Sequence, residues 1–218
     1  MRGESSVSPV LVLGTRTFAV EVADLVSEVP GFRAAGFVEN LERERCRETL
    51  DGLPVYWVED VSELAESHHA VCGLSTTQRS RFTEQVAAYG FRFATIVHPS
   101  SRISTKSTVG EGTIISVGVI IASHTHLERH VIVNRGALIG HHTEINDYVS
   151  IQPGANIAGA CRIGEATYIG MGAVVIDHIT IGSHSVVGAG AVVTEDVPDN
   201  VLVVGVPAKI VKKNIAGK

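Results

Sequence analysis

The sequence predicts an α/β domain followed by a parallel β-helix within one chain of 218 residues. Two patterns support this division. In the first half, apolar runs alternate with stretches of helical periodicity, which is typical of a small parallel sheet flanked by helices. In the second half, an aliphatic side chain returns at every sixth residue, a period too short for a helix pair and too regular for separate strands. The polar, proline-containing residues 98–101 lie between the two patterns and mark the predicted boundary.

The first half, residues 1–98, contains four apolar runs that we interpret as strands. They are PVLVLG, RAAGFVE, HAVCGL and FRFATIVHP, and the helical patterns TFAVEVADLVSEV and TTQRSRFTEQVAAYG lie among them. The first run ends in Gly14 and a helical pattern follows directly, which is the outline of a strand, a phosphate loop and a helix. A loop that binds a dinucleotide would repeat glycine, but here Gly14 is followed by Thr15, Arg16 and Thr17.

The second half, residues 99–218, repeats with a period of six. Sixteen aliphatic anchors follow one another in steps of six: Ile103, Val109, Ile115, Ile121, Leu127, Val133, Ile139, Ile145, Ile151, Ile157, Ile163, Ile169, Val175, Ile181, Val187 and Val193. Small or β-branched residues usually follow four places later, so both positions are expected to point inward and form a core between stacked coils. Glycine often comes directly after an anchor, and we expect it to supply backbone freedom at corners: Gly110, Gly140, Gly164, Gly170, Gly182 and Gly188.

The composition excludes several classes of function. A formal net charge of −5 argues against a nucleic-acid-binding protein, because phosphate neutralisation requires clustered lysine and arginine. The three cysteines are odd in number and far apart, which predicts neither a disulfide framework nor a zinc knuckle and fits a reducing cytoplasm. The sequence contains no leader pattern and no apolar run of about 20 residues, so we expect a cytoplasmic protein without a membrane segment.

The order of the two halves, with IVHPSSRIS at the join and VVGVPAKIV near the end, resembles a family of hexapeptide-repeat acyltransferases. This is the family of sialic acid O-acetyltransferases and UDP-4-amino-sugar N-acetyltransferases of bacterial surface-glycan pathways. The resemblance implies a Rossmann-like substrate-binding domain over residues 1–98 and a left-handed β-helix over residues 99–218. It also implies a homotrimer, acetyl-CoA as co-substrate without a metal, and a nucleotide-linked sugar as acceptor.

The catalytic histidine of that family lies in a small-His-acid motif, which matches IGHHTEINDYVSIQPGANIAG in this chain. The resemblance makes His141 the general base, and Gly159 lies eighteen residues later. His141 comes two places after an anchor, outside the inward column, and imidazole is suited to accept a proton from an attacking amine or hydroxyl. His142 stands where the family has an acid, and a neutral His142 could accept the hydrogen bond of His141 instead. Glu144 and Asp147 are either substitutes for that acid or solvated corner residues.

For the acyl-CoA, the resemblance implies a groove between neighbouring β-helices lined by Ser150, Gly159, Met171 and Ala189. Gly159 would leave room for the thioester, unless it is a plain corner glycine. Ser150 stands where some relatives have a histidine that contacts the thioester end. Asn134 matches a polar substrate contact of the family, or it fills a structural turn.

In the family, the opening loop is rich in glycine and its backbone cradles the phosphates of the nucleotide sugar. Only Gly14 is retained here, but the side chains of Arg16 and Thr17 at a helix N-terminus could bind an anion themselves. Glu39 and Asn40 stand where relatives commonly have paired aspartates for the nucleoside. These departures predict that acyl transfer is retained while the acceptor has changed.

Four alternatives remain at this point. The acceptor could be a sugar hydroxyl, so that the enzyme is an O-acetyltransferase, or an amine or alcohol without a nucleotide. A scaffold that has lost its chemistry is a further class, although His141 and Gly159 argue against it. A zinc enzyme resembling the γ-class carbonic anhydrases would bind the metal through histidines. The histidine-rich segment of this chain lacks the spacing of that family's zinc ligands, and its histidines are His124, His126, His130, His141 and His142.

Overall fold

The computed structural model describes residues 7–218, which form two compact units. The first unit contains the residues up to 75 together with residues 79–96. The second contains residues 76–78 and 97–218. Within the described residues, no helix is both long enough and apolar enough to cross a membrane.

The first unit is a six-stranded, mainly parallel sheet with two α-helices. In chain order its elements are β1 (Ser8–Leu13), α1 (Thr17–Glu28), β2 (Phe32–Glu39), β3 (Thr49–Leu50), β4 (Leu53–Trp57), β5 (His69–Cys72), α2 (Ser80–Ala87) and β6 (Arg92–Phe93). Two 3₁₀ segments, Arg43–Arg47 and Val58–Leu64, flank β3 and β4. The strand order is β3-β4-β2-β1-β5-β6, and only the β3/β4 pair is antiparallel. The central position of β1 explains why its residues 10–13 are fully buried.

Two elements of this unit differ from the sequence interpretation. The second helix starts later than its pattern suggested, because Thr76–Gln78 belongs to the second unit, where the backbone N–H of Thr77 donates to the carbonyl of Lys218 at 2.8 Å. The run FRFATIVHP forms two short strands rather than one. Its first part is β6, and its second part, β7 (Ile96–Val97), is the first strand of a β-helix sheet.

The second unit is a three-sided parallel β-helix whose strands are two residues long. Face 1 contains β7, β10 (Ile114–Ile115), β13 (Ile132–Val133), β16 (Ser150–Ile151), β19 (Tyr168–Ile169), β22 (Val186–Val187), β24 (Val201–Val204) and the antiparallel β25 (Lys209–Lys213). Face 2 contains β8 (Arg102–Ile103), β11 (Ile120–Ile121), β14 (Leu138–Ile139), β17 (Asn156–Ile157), β20 (Val174–Val175) and β23 (Val192–Val193). Face 3 contains β9 (Thr108–Val109), β12 (His126–Leu127), β15 (Glu144–Ile145), β18 (Arg162–Ile163) and β21 (Thr180–Ile181).

The coil takes eighteen residues per turn, because Ile121 pairs in register with Ile139 and Ile139 pairs with Ile157. The anchors of the six-residue period point inward, as expected, and together with the small residues four places later they form one continuous core. The predicted fold class, a Rossmann-like βαβ domain followed by a left-handed parallel β-helix, is confirmed.

The glycines that follow the anchors do not have the role expected from the sequence. Left-handed backbone occurs three places after an anchor instead, for example at His124, His142 and Gly154, with φ of +57°, +56° and +67°. A Cβ on Gly140 would lie 2.5 Å from the backbone nitrogen of Gly159, and closer to the carbonyl carbon of Ala158. Glycine is therefore required here because the next coil passes too close for a side chain, and the interpretation as corner freedom is wrong.

We predict that Gly140→Ala destabilises the β-helix strongly. The added methyl group meets backbone atoms of the next coil, which cannot rotate away, so the free energy of unfolding should fall by at least about 2 kcal/mol. The matched control is Gly154→Asn, because a Cβ there has nothing within 4 Å and asparagine tolerates left-handed backbone. Its effect should stay within about 0.5 kcal/mol in equilibrium urea unfolding followed by circular dichroism. Equal unfolding midpoints for both variants would contradict the packing argument.

Candidate active site

His141 lies two residues after β14, on the outer surface where face 2 turns toward face 3. Its ring rests against Gly159, which occupies the same position one coil later. A Cβ on Gly159 would lie 2.6 Å from Cε1, 2.8 Å from Nε2 and 3.0 Å from Nδ1 of His141. The absence of a side chain at residue 159 thus makes room for the imidazole. The role that the resemblance implies for Gly159 is to leave room for a thioester, but in the structure the imidazole of His141 lies in this space.

His142 provides the polar partner of His141. The two Nδ1 atoms are 3.0 Å apart, and the rings are nearly perpendicular at 85°. A hydrogen bond between two ring nitrogens requires one of them to be protonated and the other to accept. If Nδ1 of His141 donates, the lone pair of His141 is on Nε2, where a base would use it.

A third imidazole completes this cluster. His124, one coil before His142, stacks on it with ring centroids 4.8 Å apart and an interplanar angle of 14°. Partial desolvation lowers the pKa of His124, and the charges of His142, Lys106 and His126 lower it further. The neutral form of His124 is thereby favoured beside the other two rings. The sequence motif did not indicate this contact, because His124 and His142 are eighteen residues apart.

The two acids near the motif are engaged elsewhere. Asp147 accepts hydrogen bonds from the backbone and the side chain of Arg129, at 2.8 and 2.7 Å. Glu144 forms an ion pair with Arg162 across face 3, at 3.4 Å. Both carboxylates pair with arginines of neighbouring coils, which supports the interpretation as corner and surface residues over that as substitutes for the family's acid.

The predicted acyl-CoA residues are not gathered at one place in the single chain. Gly159 lies at the edge where face 2 meets face 3, whereas Met171 and Ala189 lie at the edge where face 1 meets face 2. Met171 is 58% exposed, and Ala189 is also exposed. Ser150 lies within β16, paired with Ile132 and Tyr168, and its side chain is fully buried. Burial removes Ser150 from the candidate cofactor contacts.

Asn134 is the turn residue that the sequence allowed as one alternative. It is buried, and its Oδ1 accepts the backbone N–H of Arg135 at 2.8 Å. The side-chain amide oxygen of Asn134 thus stabilises the backbone at the point where the chain leaves face 1. Asn134 and His141 lie at opposite edges of face 2 on the same coil.

The opening loop of the first unit lines an open cleft of about 810 Å³. Gly14 has φ +107°, a conformation that side chains rarely adopt. Arg16 and Thr17 are exposed and line the cleft at the start of α1. Arg16 forms an ion pair with Glu42, whose other oxygen accepts a hydrogen bond from Nε of Arg45 at 2.7 Å. Sequence reasoning missed Glu42 and Arg45, and the charge-dense segment LERER was the signal that could have identified them.

Glu39 has a different role from the one predicted. Only 6% of its surface is exposed, and it accepts a hydrogen bond from the hydroxyl of Thr15. Its Oε1 also accepts three backbone N–H groups at 2.8 to 3.2 Å, those of Asn40, Leu41 and Glu42. Burial by itself raises the pKa of Glu39, but these hydrogen bonds outweigh it, so the pKa lies below its ordinary value of 4.5. Glu39 organises the loop rather than presenting a carboxylate to a nucleoside.

The histidine-rich segment does not form a metal centre. Within residues 7–218, no group of three or more His, Cys, Asp or Glu side chains could hold a metal ion. His130 is buried at another corner, where its ring stacks on Tyr148 at 5.1 Å. His126 lies on face 3 and shares a hydrogen bond of 2.9 Å with Thr108.

We predict that the loop-organising role of Glu39 makes its contribution to stability depend on pH. The folded state lowers the pKa, so the ionised carboxylate stabilises it fully above pH 4.5 and loses this effect as the pH falls through the folded-state pKa. Glu39→Gln should therefore cost about 1–3 kcal/mol at neutral pH, and the difference from the unmodified chain should shrink toward about pH 3.5. Urea unfolding at the two pH values measures it. The exposed control Glu66→Gln should change stability by less than about 0.5 kcal/mol at both. A gap that is independent of pH would contradict the assignment.

Comparisons with known proteins agree with the fold of both units. The family model "Bacterial transferase hexapeptide (six repeats)" matches residues 160–195. The comparison with curated proteins found no match. Among solved structures, a mutant of perosamine N-acetyltransferase from Caulobacter crescentus, in complex with CoA and GDP-perosamine, is 28% identical. That match covers 95% of this chain and 99% of the other, with a TM-score of 0.88.

Two further structures match over nearly the whole chain. The acetyltransferase domain of PglB from Neisseria gonorrhoeae FA1090, in complex with acetyl coenzyme A, is 29% identical, and the match covers 93% of this chain and 98% of the other with a TM-score of 0.86. WeeI from Acinetobacter baumannii AYE is 27% identical, with 94% and 100% covered and a TM-score of 0.84. The chain thus carries the bacterial transferase hexapeptide repeat over residues 160–195 and, over nearly its whole length, has the fold of these acetyltransferase structures.

Proposed function

We propose that this protein transfers the acetyl group of acetyl-CoA to an amino group of a sugar, with His141 as the general base. The observation that carries the proposal is the hydrogen bond of 3.0 Å between the Nδ1 atoms of His141 and His142, together with the packing of the His141 ring on Gly159. A donor at Nδ1 leaves the Nε2 lone pair to accept a proton at the surface of the β-helix. The similarity to a perosamine N-acetyltransferase with bound CoA and GDP-perosamine supports the same chemistry.

In this reaction the amine nitrogen of the sugar forms a bond to the thioester carbonyl carbon while the carbon–sulfur bond breaks. The nitrogen loses a proton to Nε2 of His141, and the departing thiolate takes up a proton, so the products are the N-acetyl sugar and CoA. The thioester is already activated, so no covalent acyl-enzyme is required. His142 stabilises the protonated His141 by accepting its Nδ1–H.

The imidazole of His142, as the hydrogen-bond partner of His141, favours an amine over a hydroxyl as acceptor. A neutral imidazole at residue 142 stabilises a charged His141 less than a carboxylate would. Amines are better nucleophiles than alcohols and need less help from a base, so a weaker pair suits N-acetylation. O-acetylation of a sugar is the second candidate function. The two candidates are distinguished by whether an amino sugar or a hydroxy sugar is acetylated.

We assign the acceptor-binding role to residues 1–98 and the acyl-transfer role to residues 99–218. The cleft of the first unit contains two arginines, Arg16 and Arg45, that share Glu42. The phosphates of a nucleotide-linked sugar could compete with Glu42 for these guanidinium groups. This supports a nucleotide-linked acceptor. The resemblance to acetyltransferases of bacterial surface-glycan pathways leads us to propose that the reaction belongs to such a pathway and takes place in the cytoplasm. The three free cysteines are consistent with that compartment.

We further propose a homotrimer in which face 2 is the contact surface. Its outward side chains include Ile120 and Leu138, which are 44% and 39% exposed, and Val174, which is 37% exposed. The outward residues of face 3 are polar in contrast: Thr108, His126, Glu144, Arg162 and Thr180. The polar Asn156 lies between Leu138 and Val174, but face 2 is still more apolar than face 3, and an exposed apolar surface is typical of an interface. Assembly would bring the His141 edge of one copy beside the edge of a neighbour that carries Met171 and Ala189, and so complete an acyl-CoA groove.

The proposed activity is tested by measuring CoA release from acetyl-CoA with a panel of amino sugars and hydroxy sugars, each free and nucleotide-linked. We expect turnover with a nucleotide-linked amino sugar and little with the hydroxy analogue. The product should carry the acetyl group on nitrogen, which mass spectrometry of the product identifies. Absence of CoA release with every acceptor, together with absence of CoA binding in calorimetry, would favour a noncatalytic scaffold.

Variants of the two adjacent histidines provide the controls for this assay. His141→Ala should lower kcat by roughly two to four orders of magnitude with unchanged CoA affinity, because general-base catalysis contributes about that much. His142→Ala should cost less, since His142 acts through His141. Near-normal turnover in His141→Ala with complete loss in His142→Ala would shift the base assignment by one residue and contradict the proposal.

The trimer is tested by a charge on face 2. Leu138→Glu should convert a trimer to smaller species in sedimentation velocity at micromolar concentration and weaken CoA binding, because a carboxylate would be desolvated in the interface. Thr180→Glu, on the polar face 3, is the matched control and should leave the trimer intact. A monomer in the unmodified protein, or a trimer in Leu138→Glu, would contradict the interface.

A further inference from the structure

We propose that His124 is a positioning residue for acyl transfer, and that its ring holds His142 in the orientation that accepts the hydrogen bond of His141. The expected effect of His124 on the reaction rate rests on the proposed function, whereas its effect on the orientation of His142 does not. The structure shows three imidazoles in a row across two successive coils, those of His124, His142 and His141. Of these, only His141 would contact the substrate.

The backbone fixes the first contact of this row. His124 and His142 occupy the same corner of successive coils with φ of +57° and +56°, and the N–H of His142 donates to the carbonyl of Ser123 at 3.0 Å. Equal backbone conformations point the two side chains in the same direction, which produces the stack of 4.8 Å and 14°. The next coil has Ala160 at this corner, with φ +57°. Alanine has no ring, so His142 stacks on His124 but not on residue 160.

The second contact depends on the first. His142 must direct Nδ1 toward His141, and the χ2 rotation of a histidine has no strong intrinsic preference. A stacked ring restricts that rotation to the two orientations that keep the rings parallel, and only the one with Nδ1 toward His141 also keeps the hydrogen bond. Aromatic stacking of this kind changes the population of one ring orientation by roughly two- to tenfold.

The electrostatics of His124 suit this role. Desolvation lowers the pKa of His124, and the charges of His142, Lys106 and His126 lower it further. A neutral ring is therefore favoured at residue 124, and it can stack on His142 without adding a positive charge beside the hydrogen bond between His141 and His142.

A purely structural role for His124 makes a different prediction, because histidine is also one of the residues that tolerate left-handed backbone. The chain offers a comparison at another corner. Tyr148 has φ +61° and stacks on His130 at 5.1 Å and 8°, so this backbone accommodates a larger aromatic ring. An aromatic replacement at residue 124 can therefore keep the stack, while asparagine keeps only the backbone preference.

The test compares His124→Asn, His124→Phe and the corner control Tyr148→Asn in the full chain. The first readout needs no substrate: long-range ¹H–¹⁵N NMR reports which nitrogen of His142 carries the proton. The unmodified chain and His124→Phe should show one tautomer with Nδ1 unprotonated, and His124→Asn should show averaged tautomers. The second readout is kinetic: His124→Asn should lower kcat by roughly two- to tenfold with KM for acetyl-CoA nearly unchanged, His124→Phe should restore it, and Tyr148→Asn should leave it unchanged.

The outcomes separate this inference from the proposed function. An unchanged His142 tautomer in His124→Asn would overturn the positioning role whatever reaction the protein catalyses. Equal losses of kcat in His124→Asn and Tyr148→Asn would also overturn it, because they would show a general effect of corner stacking. Failure of the proposed function would appear instead in the unmodified chain, as absence of acetyl transfer with a normal His142 tautomer.

Discussion

The second unit depends on one constraint, which is that each coil is hydrogen-bonded to the coil eighteen residues later. The N–H of Gly140 donates to the carbonyl of Ile157, and the N–H of Ala122 donates to that of Ile139, at 2.8 and 2.9 Å. Such bonds leave no freedom to change register, because a shift of one residue would turn the aliphatic anchors outward. Each position therefore belongs to a column, and its surroundings are the residues eighteen places before and after it.

The candidate active site follows from these columns. His141 projects toward solvent at a position where the next coil has Gly159, so the ring packs directly on backbone. His142 lies at the following corner, where the left-handed backbone of the preceding coil brings His124 against it. Three imidazole rings thus come together without any loop insertion. The same regularity places Met171 and Ala189 at the other edge of face 2, away from His141.

A buried carboxylate shapes the opening loop of the first unit. Glu39 at the end of β2 accepts the hydroxyl of Thr15 and three successive backbone N–H groups, and this sets the path of the chain toward Glu42. Glu42 in turn pairs with the two arginines of the cleft. The loop has lost the repeated glycines of a phosphate loop, and side-chain hydrogen bonds organise it instead.

The sequence by itself determined the fold class, the inward aliphatic column and the position of His141, because a strict period and a local motif are properties of consecutive residues. It could not determine contacts that join residues eighteen or more places apart. The packing of His141 on Gly159, the stack of His124 on His142 and the pairing of Asp147 with Arg129 needed the coil geometry. The role of the glycines after the anchors was misjudged for the same reason, since only the neighbouring coil reveals how closely its backbone passes. The roles predicted for Glu39 and Ser150 differ from those in the structure because both side chains are buried. Burial depends on tertiary packing, and it decides whether a polar side chain can reach a ligand.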